Sequence, residues 1–373
     1  MTSPPTDPAA VVRPRVAIVG TGGIAKSHVR ALREVDRSDL VACVDIDADT
    51  ARAFAAEWSI PNHHGDLGDL LATDPPDVIH LCTPPGSHRA LAVRALEAGV
   101  TVLCEKPPAM TLADMDAIIA AETASSASFG TVFQHRFGSA GQRLRRLVAD
   151  NALGQPMSAV CNTLWFRAPD YFDPEWRGVW GNEGGGPTLG HGIHQTDLLL
   201  AILGPWSRVT AVAKRQARPT NTEDLSAAIV EFENGAVATV LTSLMAPRES
   251  SNLRFDFELA TVEVEHTYGY DETNWRFTAA ADGNDAAWQQ VPSAMKSGHA
   301  AQFAAVADAL ETGAPLPVTS AESRLTLELV AATYAAAFTQ KPVARGEIGP
   351  DSPFHGAMDG RGMAPWDDVK DAH

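Results

Sequence analysis

The segment VAIVGTGGIAKSHVRAL, beginning at Val16, passes from an apolar run through glycines into a helical pattern within a few residues. A strand that turns so sharply into a helix belongs to a parallel α/β layer. The turn itself has the form G-x-G-x-x-A over Gly20-Thr21-Gly22-Gly23-Ile24-Ala25. Gly20 permits the tight turn, Gly22 lets backbone come close to a pyrophosphate, and Ala25 is small enough for helix and strand to pack closely. The helix start at Gly23 and Ile24 then offers free N–H groups and the positive end of a dipole. A second strand, VACVD, ends at Asp45, the spacing at which a carboxylate meets the adenosine ribose hydroxyls. A plain strand-end acid is the alternative. Asp45 repels a 2′-phosphate, so NAD is expected in preference to NADP, with Arg52 close enough in sequence to temper the preference.

The rest of the first third repeats the alternation. Apolar runs at DVIHLCTP and TVLCEKP alternate with helical stretches at ADTARAFAAEW, HRALAVRALEAG and TLADMDAIIAAETAS. Buried strands separated by helices indicate a doubly wound parallel sheet. Near FGTVFQHRF the pattern changes to longer alternating segments, among them MSAVCNTLWF, RVTAVAKRQ and DLSAAIVEFENGAVATVLTSL, where Asn-Gly marks a hairpin turn. The expected architecture is α/β. It comprises an N-terminal dinucleotide-binding Rossmann domain over residues 14–134, and an α+β domain with a large open, mostly antiparallel sheet over 135–345. A surface tail over 346–373 completes it. A chain of 373 residues suits two cores.

With Lys and Arg totalling 29 against 46 Asp and Glu, the net charge is −17, which argues against nucleic acid as a partner. No apolar run has the length of a membrane span, and the opening MTSPPTDPAAVVRPR reads as a short disordered tail without a signal core. A cytoplasmic protein is expected. Cys43, Cys82, Cys104 and Cys161 lie far apart and read as reduced core residues, neither a zinc site nor a disulfide frame.

Chemistry concentrates in three blocks. Glu105-Lys106-Pro107 ends a parallel strand, where ligands of open α/β sheets collect. Burial and a nearby positive nicotinamide ring would lower the pKa of Lys106, which suits exchange of a proton with a substrate hydroxyl. A Glu-Lys pair capping a strand is the plainer reading, and Pro107 is a candidate cis peptide. Thr83, Pro84 and His88 in CTPPGSHRA are placed along the nicotinamide side, although His88 reads equally as a helix N-terminal residue without chemistry. The third block, WRGVWGNEGGGPTLGHGIHQTDLLLAILG, brings His191, His194 and Asp197 to one helical face by their i, i+3 spacing. A core role for His194 and an orienting role for Asp197 remain open. A metal reading of H-x-x-H-x-x-D finds no supporting cysteines or ligand spacing. Trp176, Arg177 and Trp180 suit either stacking on a sugar ring or buried packing, and Arg136 in FQHRF joins the substrate-site candidates.

Together these motifs resemble the glucose–fructose oxidoreductase / inositol dehydrogenase / MocA family, from about Arg15 to Val343. The resemblance implies a nicotinamide cofactor and oxidation of a secondary alcohol of a sugar, cyclitol or related polyol. It also implies assembly as a dimer or tetramer through the open sheet. It places the family lysine on Lys106 and the helix histidine on His194. The dinucleotide glycines fall on Gly20 and Gly22, and the ribose acid on Asp45. One departure stands out. Many members carry Asp or Asn four residues before the helix histidine, where this chain has Gly190 followed by His191. Two other outcomes stay open: glycoside cleavage through transient oxidation, and a non-catalytic dinucleotide- and sugar-binding sensor.

Overall fold

The computed structural model describes residues 13–266, 268–280, 288 and 295–370; most of the expected N-terminal tail lies outside these residues. Strands β1 (Arg15–Val19), β2 (Asp39–Val44), β3 (Asn62–His64), β4 (Val78–Leu81), β5 (Thr101–Cys104) and β6 (Phe129–Thr131) form one sheet in the order β3-β2-β1-β4-β5-β6. Every pairing in it is parallel. Helices α1 (Gly23–Val35), α2 (Ala48–Glu57), α3 (Leu67–Thr73), α4 (His88–Glu97) and α5 (Leu112–Thr123) form its crossovers. The strand order reverses between β1 and β4, so a crevice opens above their carboxyl ends. Because helices cover both faces, β1 and β4 are apolar almost throughout; His80 is a buried exception on β4.

The second sheet holds β7 (Pro156–Phe166), β8 (Trp206–Lys214), β9 (Leu225–Phe232), β10 (Val237–Ser243), β11 (Met245–Phe257), β12 (Ala260–His266), β13 (Trp275–Ala279) and β14 (Val343–Ala344). Their order is β13-β12-β11-β7-β10-β9-β8-β14. All pairs are antiparallel except β7 with β10, so the sheet is mixed. The Asn-Gly turn closes β9 onto β10. Gly235 takes φ +90°, and the Asn234 side chain accepts from the Ala236 amide at 3.0 Å.

The chain does not divide cleanly at residue 134. The helix His299–Thr312 returns to pack on α1, and its Phe303 and Val306 share an apolar cluster with Val16, Ile18 and Val29. The next helix, Ser320–Thr339, packs on β8 and α5, bridging both sheets. At the chain's end, Trp366 and Val369 bind Asn221 through their indole and backbone N–H groups, so the tail wraps the second domain.

Candidate active site

The glycine turn sits at the sheet's reversal point. Gly20 has φ +87°, and a Cβ there would fall 2.7 Å from the Thr83 methyl and 2.9 Å from the Cys82 backbone. Only glycine fits. At Gly22 and Gly23, by contrast, a Cβ would meet nothing within 4 Å. Gly22 caps α1 without any side-chain hydrogen bond, and Ile24 is half-buried in the first turn. An open approach onto unshared helix N–H groups is what a pyrophosphate requires. At the tip of β2, Asp45 Oδ2 accepts from the Thr21 amide at 2.9 Å and its hydroxyl at 2.8 Å, while Oδ1 accepts from the Asp47 amide at 3.1 Å. Lone pairs remain on this carboxylate for ribose hydroxyls. Arg52 is drawn to Asp49 at 2.7 Å.

Thr83, at the end of β4, accepts from the Ser87 hydroxyl at 2.8 Å and is followed by exposed Pro84. His88 is fully buried, with Nδ1 2.9 Å from the Pro107 carbonyl and Nε2 2.8 Å from that of Thr83. It therefore ties the end of β4 to the Glu-Lys-Pro turn and presents no free nitrogen to a cofactor. The Glu105 carboxylate also faces inward. Its Oε1 accepts from His28 at 2.8 Å and His299 at 3.3 Å, and Oε2 from the Lys106 amide at 3.2 Å. Burial alone would raise its pKa, but the two imidazoles overcome that and hold the carboxyl well below the usual range. His28 is joined in turn to His80 at 3.0 Å. The 2.8 Å contact is a hydrogen bond, shorter than the roughly 3.3 Å that two ligands of one tetrahedral zinc keep. His28, Glu105 and His299 each bring a donor atom within 4.8 Å of the others, and their hydrogen bonds brace the site from beneath.

Lys106 rises from this brace through a cis Lys106–Pro107 peptide, and its ammonium donates to the Gly190 carbonyl at 3.0 Å. Burial lowers its pKa, with Glu105 and Glu183 pulling the other way. A Cβ on Gly190 would meet nothing within 4 Å, so the space where a side chain would stand is open.

The expected single helix bearing His191, His194 and Asp197 is instead two pieces, Pro187–Gly190 and Ile193–Leu203. Between them the Gly192 amide reaches back to the Pro187 carbonyl at 2.7 Å, and a Cβ at Gly192 would strike the Thr242 methyl at 2.5 Å. The longer piece is buried on nearly every side, which makes its polar residues informative. Gln195 accepts from His135 at 3.0 Å. Asp197 forms a two-pronged pair with Arg136, both contacts 2.6 Å, and Arg136 also meets Glu322 at 2.6 Å. His194 differs from both. It is 1% exposed, yet neither ring nitrogen has a hydrogen-bond partner among the described residues. Its ring stacks on His135 at 4.5 Å, and burial, then His135 and Lys106, depress its pKa far below the usual histidine range. His135 Nε2 and His191 Nδ1 are likewise buried without partners among the described residues. Burial, reinforced by Lys106, Arg167 and Arg177, pushes His191 down to about 3. These are neutral imidazoles beside a lysine, with unmet hydrogen-bonding capacity that a polyhydroxylated ligand would satisfy.

Several expectations are corrected. The structure places the buried Arg136 and Asp197 against each other. Trp180 packs edge-on against Tyr334 and donates its indole N–H to the Asn221 carbonyl at 2.8 Å, so it is scaffold. Trp176 is half-exposed, and Arg177 lies between it and Tyr171, 4.3 Å and 4.2 Å from the two rings. The sequence reading missed Trp165 and Tyr171, which flank His191 at 5.2 Å and 6.4 Å, and Tyr268, which meets both His135 and His194 edge-on. It also missed Glu223, which accepts from the Gly186 and Thr188 amides and the Tyr334 hydroxyl, and so anchors the glycine-led segment.

Known proteins share this fold. The oxidoreductase family model with an NAD-binding Rossmann fold matches residues 14–132, and the GFO/IDH/MocA C-terminal domain model matches residues 142–263. The chain belongs to the Gfo/Idh/MocA family. Its relatives include D-apiose dehydrogenase of Paraburkholderia graminis, 28% identical over 69% of this chain and 67% of that protein. Inositol 2-dehydrogenase 1 of Saccharopolyspora erythraea is 31% identical over 69% of each. The WlbA dehydrogenase of Bordetella pertussis, solved with NADH and UDP-GlcNAcA, superposes with a TM-score of 0.79 at 24% identity, over 89% of this chain and 99% of that one. As a Gfo/Idh/MocA protein, the chain has an NAD-binding Rossmann domain and a mixed-sheet partner domain. Asp45→Ala is expected to erode discrimination between NAD and NADP, measured by titrating both cofactors. Equal binding of the two by the unaltered protein would contradict the role of Asp45.

Proposed function

We propose that this protein is an NAD-dependent dehydrogenase that oxidises a secondary alcohol of a sugar, cyclitol or sugar derivative. The observation that carries the reading is His194, buried with both nitrogens unpartnered among the described residues, beside a lysine of lowered pKa at the carboxyl end of β5. The relatives' names point the same way. Gly20, Gly22, Gly23 and the first turn of α1 would hold the cofactor's pyrophosphate, and Asp45 its adenosine ribose. Bound NAD supplies the acceptor for the hydrogen and electron pair that leave the carbinol carbon. Lys106 Nζ takes the hydroxyl proton as the C–O bond becomes a carbonyl, and the Gly190 carbonyl orients that amine. His194 donates to or accepts from the same hydroxyl, and His191 shapes the pocket beside it.

The four cysteines are buried free thiols, which fits a reducing compartment, and we place the protein in the cytoplasm. No helix among the described residues is long and apolar enough to cross a membrane. The second sheet exposes Val212, Ile229 and Val237 on one face, which supports a homodimer or tetramer formed through it. Light scattering should give a multiple of the chain mass; a monomer at micromolar concentration would contradict this. The activity itself is tested with a panel of sugars and cyclitols read by absorbance of the reduced cofactor. At least one should be turned over, and silence across the panel from protein that binds NAD would refute the reading.

A further inference from the structure

The charge around His191 runs opposite to that of the whole molecule. The chain carries −17, yet the charged groups that act on His191 are Lys106, Arg167 and Arg177, all cationic. Arg167 lies 5.0 Å over the Trp165 ring and 5.4 Å from Tyr171, and Arg177 lies 4.2 Å from the Tyr171 ring, so two guanidinium groups rest on the aromatic pair that flanks His191.

Their neutralisation is unequal. Arg167 is paired with Glu249 at 2.9 Å. Arg177 donates to the Tyr171 hydroxyl at 2.5 Å, and among the described residues its one carboxylate partner, Glu183, stands off at 3.7 Å. Glu183 is shared, because Lys106 and Lys370 also act on it and it accepts from the Gly178 amide; burial raises its pKa. The loop's own acids, Asp170, Asp173 and Glu175, are exposed. That loop is pinned from behind, where the Lys370 ammonium donates to the carbonyls of Phe172, Pro174 and Arg177. Among the described residues Arg177 is thus a cation held on the aromatic pair that flanks His191, with its one carboxylate partner at 3.7 Å, and the buried His191 Nδ1 has no hydrogen-bond partner there.

We propose that the alcohol oxidised here belongs to an anionic sugar derivative, whose carboxylate or phosphate is received by Arg177 beside His191 while its hydroxyl meets Lys106. The inference rests on the dehydrogenase reading and narrows it to a substrate class. A guanidinium partner suits either anion.

The test compares glucose with glucuronate, gluconate and glucose 6-phosphate in the unaltered protein, Arg177→Gln and Arg177→Lys. Turnover with NAD and calorimetric binding to the NADH-loaded protein are both read. We expect at least one anionic sugar to exceed glucose by about tenfold or more in kcat/KM at low salt, consistent with one charge-assisted hydrogen bond. The gap should shrink with added salt, collapse in Arg177→Gln and return in part in Arg177→Lys. Whether glucuronate, gluconate or the phosphate leads identifies the anion. Glucose matching all three, or an advantage untouched by Arg177→Gln, overturns the proposal. If nothing is turned over but an anionic sugar still binds more tightly in an Arg177-dependent way, the charge assignment stands and the dehydrogenase reading falls. If neither turnover nor binding depends on Arg177, the proposal itself falls.

Discussion

Lys106→Met should lower turnover by about 10²–10⁴-fold, the usual contribution of one positioned acid–base group, while NAD binding is retained. The two effects separate because Lys106 stands on the Gly190 carbonyl at 3.0 Å, whereas the phosphate-side glycines lie at the start of α1. The pH profile adds a second readout. Burial lowers the pKa of the Lys106 amine, and a protonated amine cannot accept the hydroxyl proton. NAD reduction should therefore rise with pH through a midpoint below the ordinary lysine range, and that limb should vanish in Lys106→Met. Near-normal turnover in the variant would remove Lys106 from the chemistry.

Arg136→Met should destabilise the fold by about 3–5 kcal/mol, because it strands Asp197 as a buried carboxyl without a cation. Arg136 is 1% exposed and Asp197 0%, so no solvent replaces the lost partner. Burial already pushes Asp197 up to about 6 against the pull of the guanidinium. Arg136 also holds Glu322, whose carboxylate caps the helix Ser320–Thr339, so the damage should spread to the element that bridges the two sheets. Thermal unfolding measures the loss, and Arg136→Met/Asp197→Leu should recover most of it. A variant that folds normally but shows a raised KM would return Arg136 to the substrate site.

The parts of the site legible in the sequence are those whose chemistry is local. Gly20, Gly22, Asp45 and Lys106 each lie at the end of a short parallel strand, and strand, turn and helix follow one another within a few residues. Their positions above the sheet could be read from that order alone. The helix face of His194 and Asp197 was also legible, but not the direction of each side chain. That depends on Arg136 and His135, contributed by a segment far away in sequence. Trp180 shows the same limit, since an aromatic beside a glycine run reads alike whether it faces a ligand or, as here, Tyr334 and Asn221. The brace of His28, His80, Glu105 and His299 was missed because its members come from separate elements, among them a helix that follows β13. One signal was present: His28 lies on the face of α1 that also carries Ala25 and Leu32, where a buried histidine needs a partner.

The central claim is that this pocket moves a hydrogen with its electron pair from a carbinol carbon, and the proton from its oxygen to Lys106. The most direct measurement uses a substrate from the panel deuterated at the oxidised carbon, with the reduced cofactor analysed by mass spectrometry. The account predicts deuterium on the nicotinamide ring, a rate lowered by the isotope, and neither event in Lys106→Met. Reduced cofactor free of deuterium, or none formed from protein shown to bind both NAD and the sugar, would contradict it.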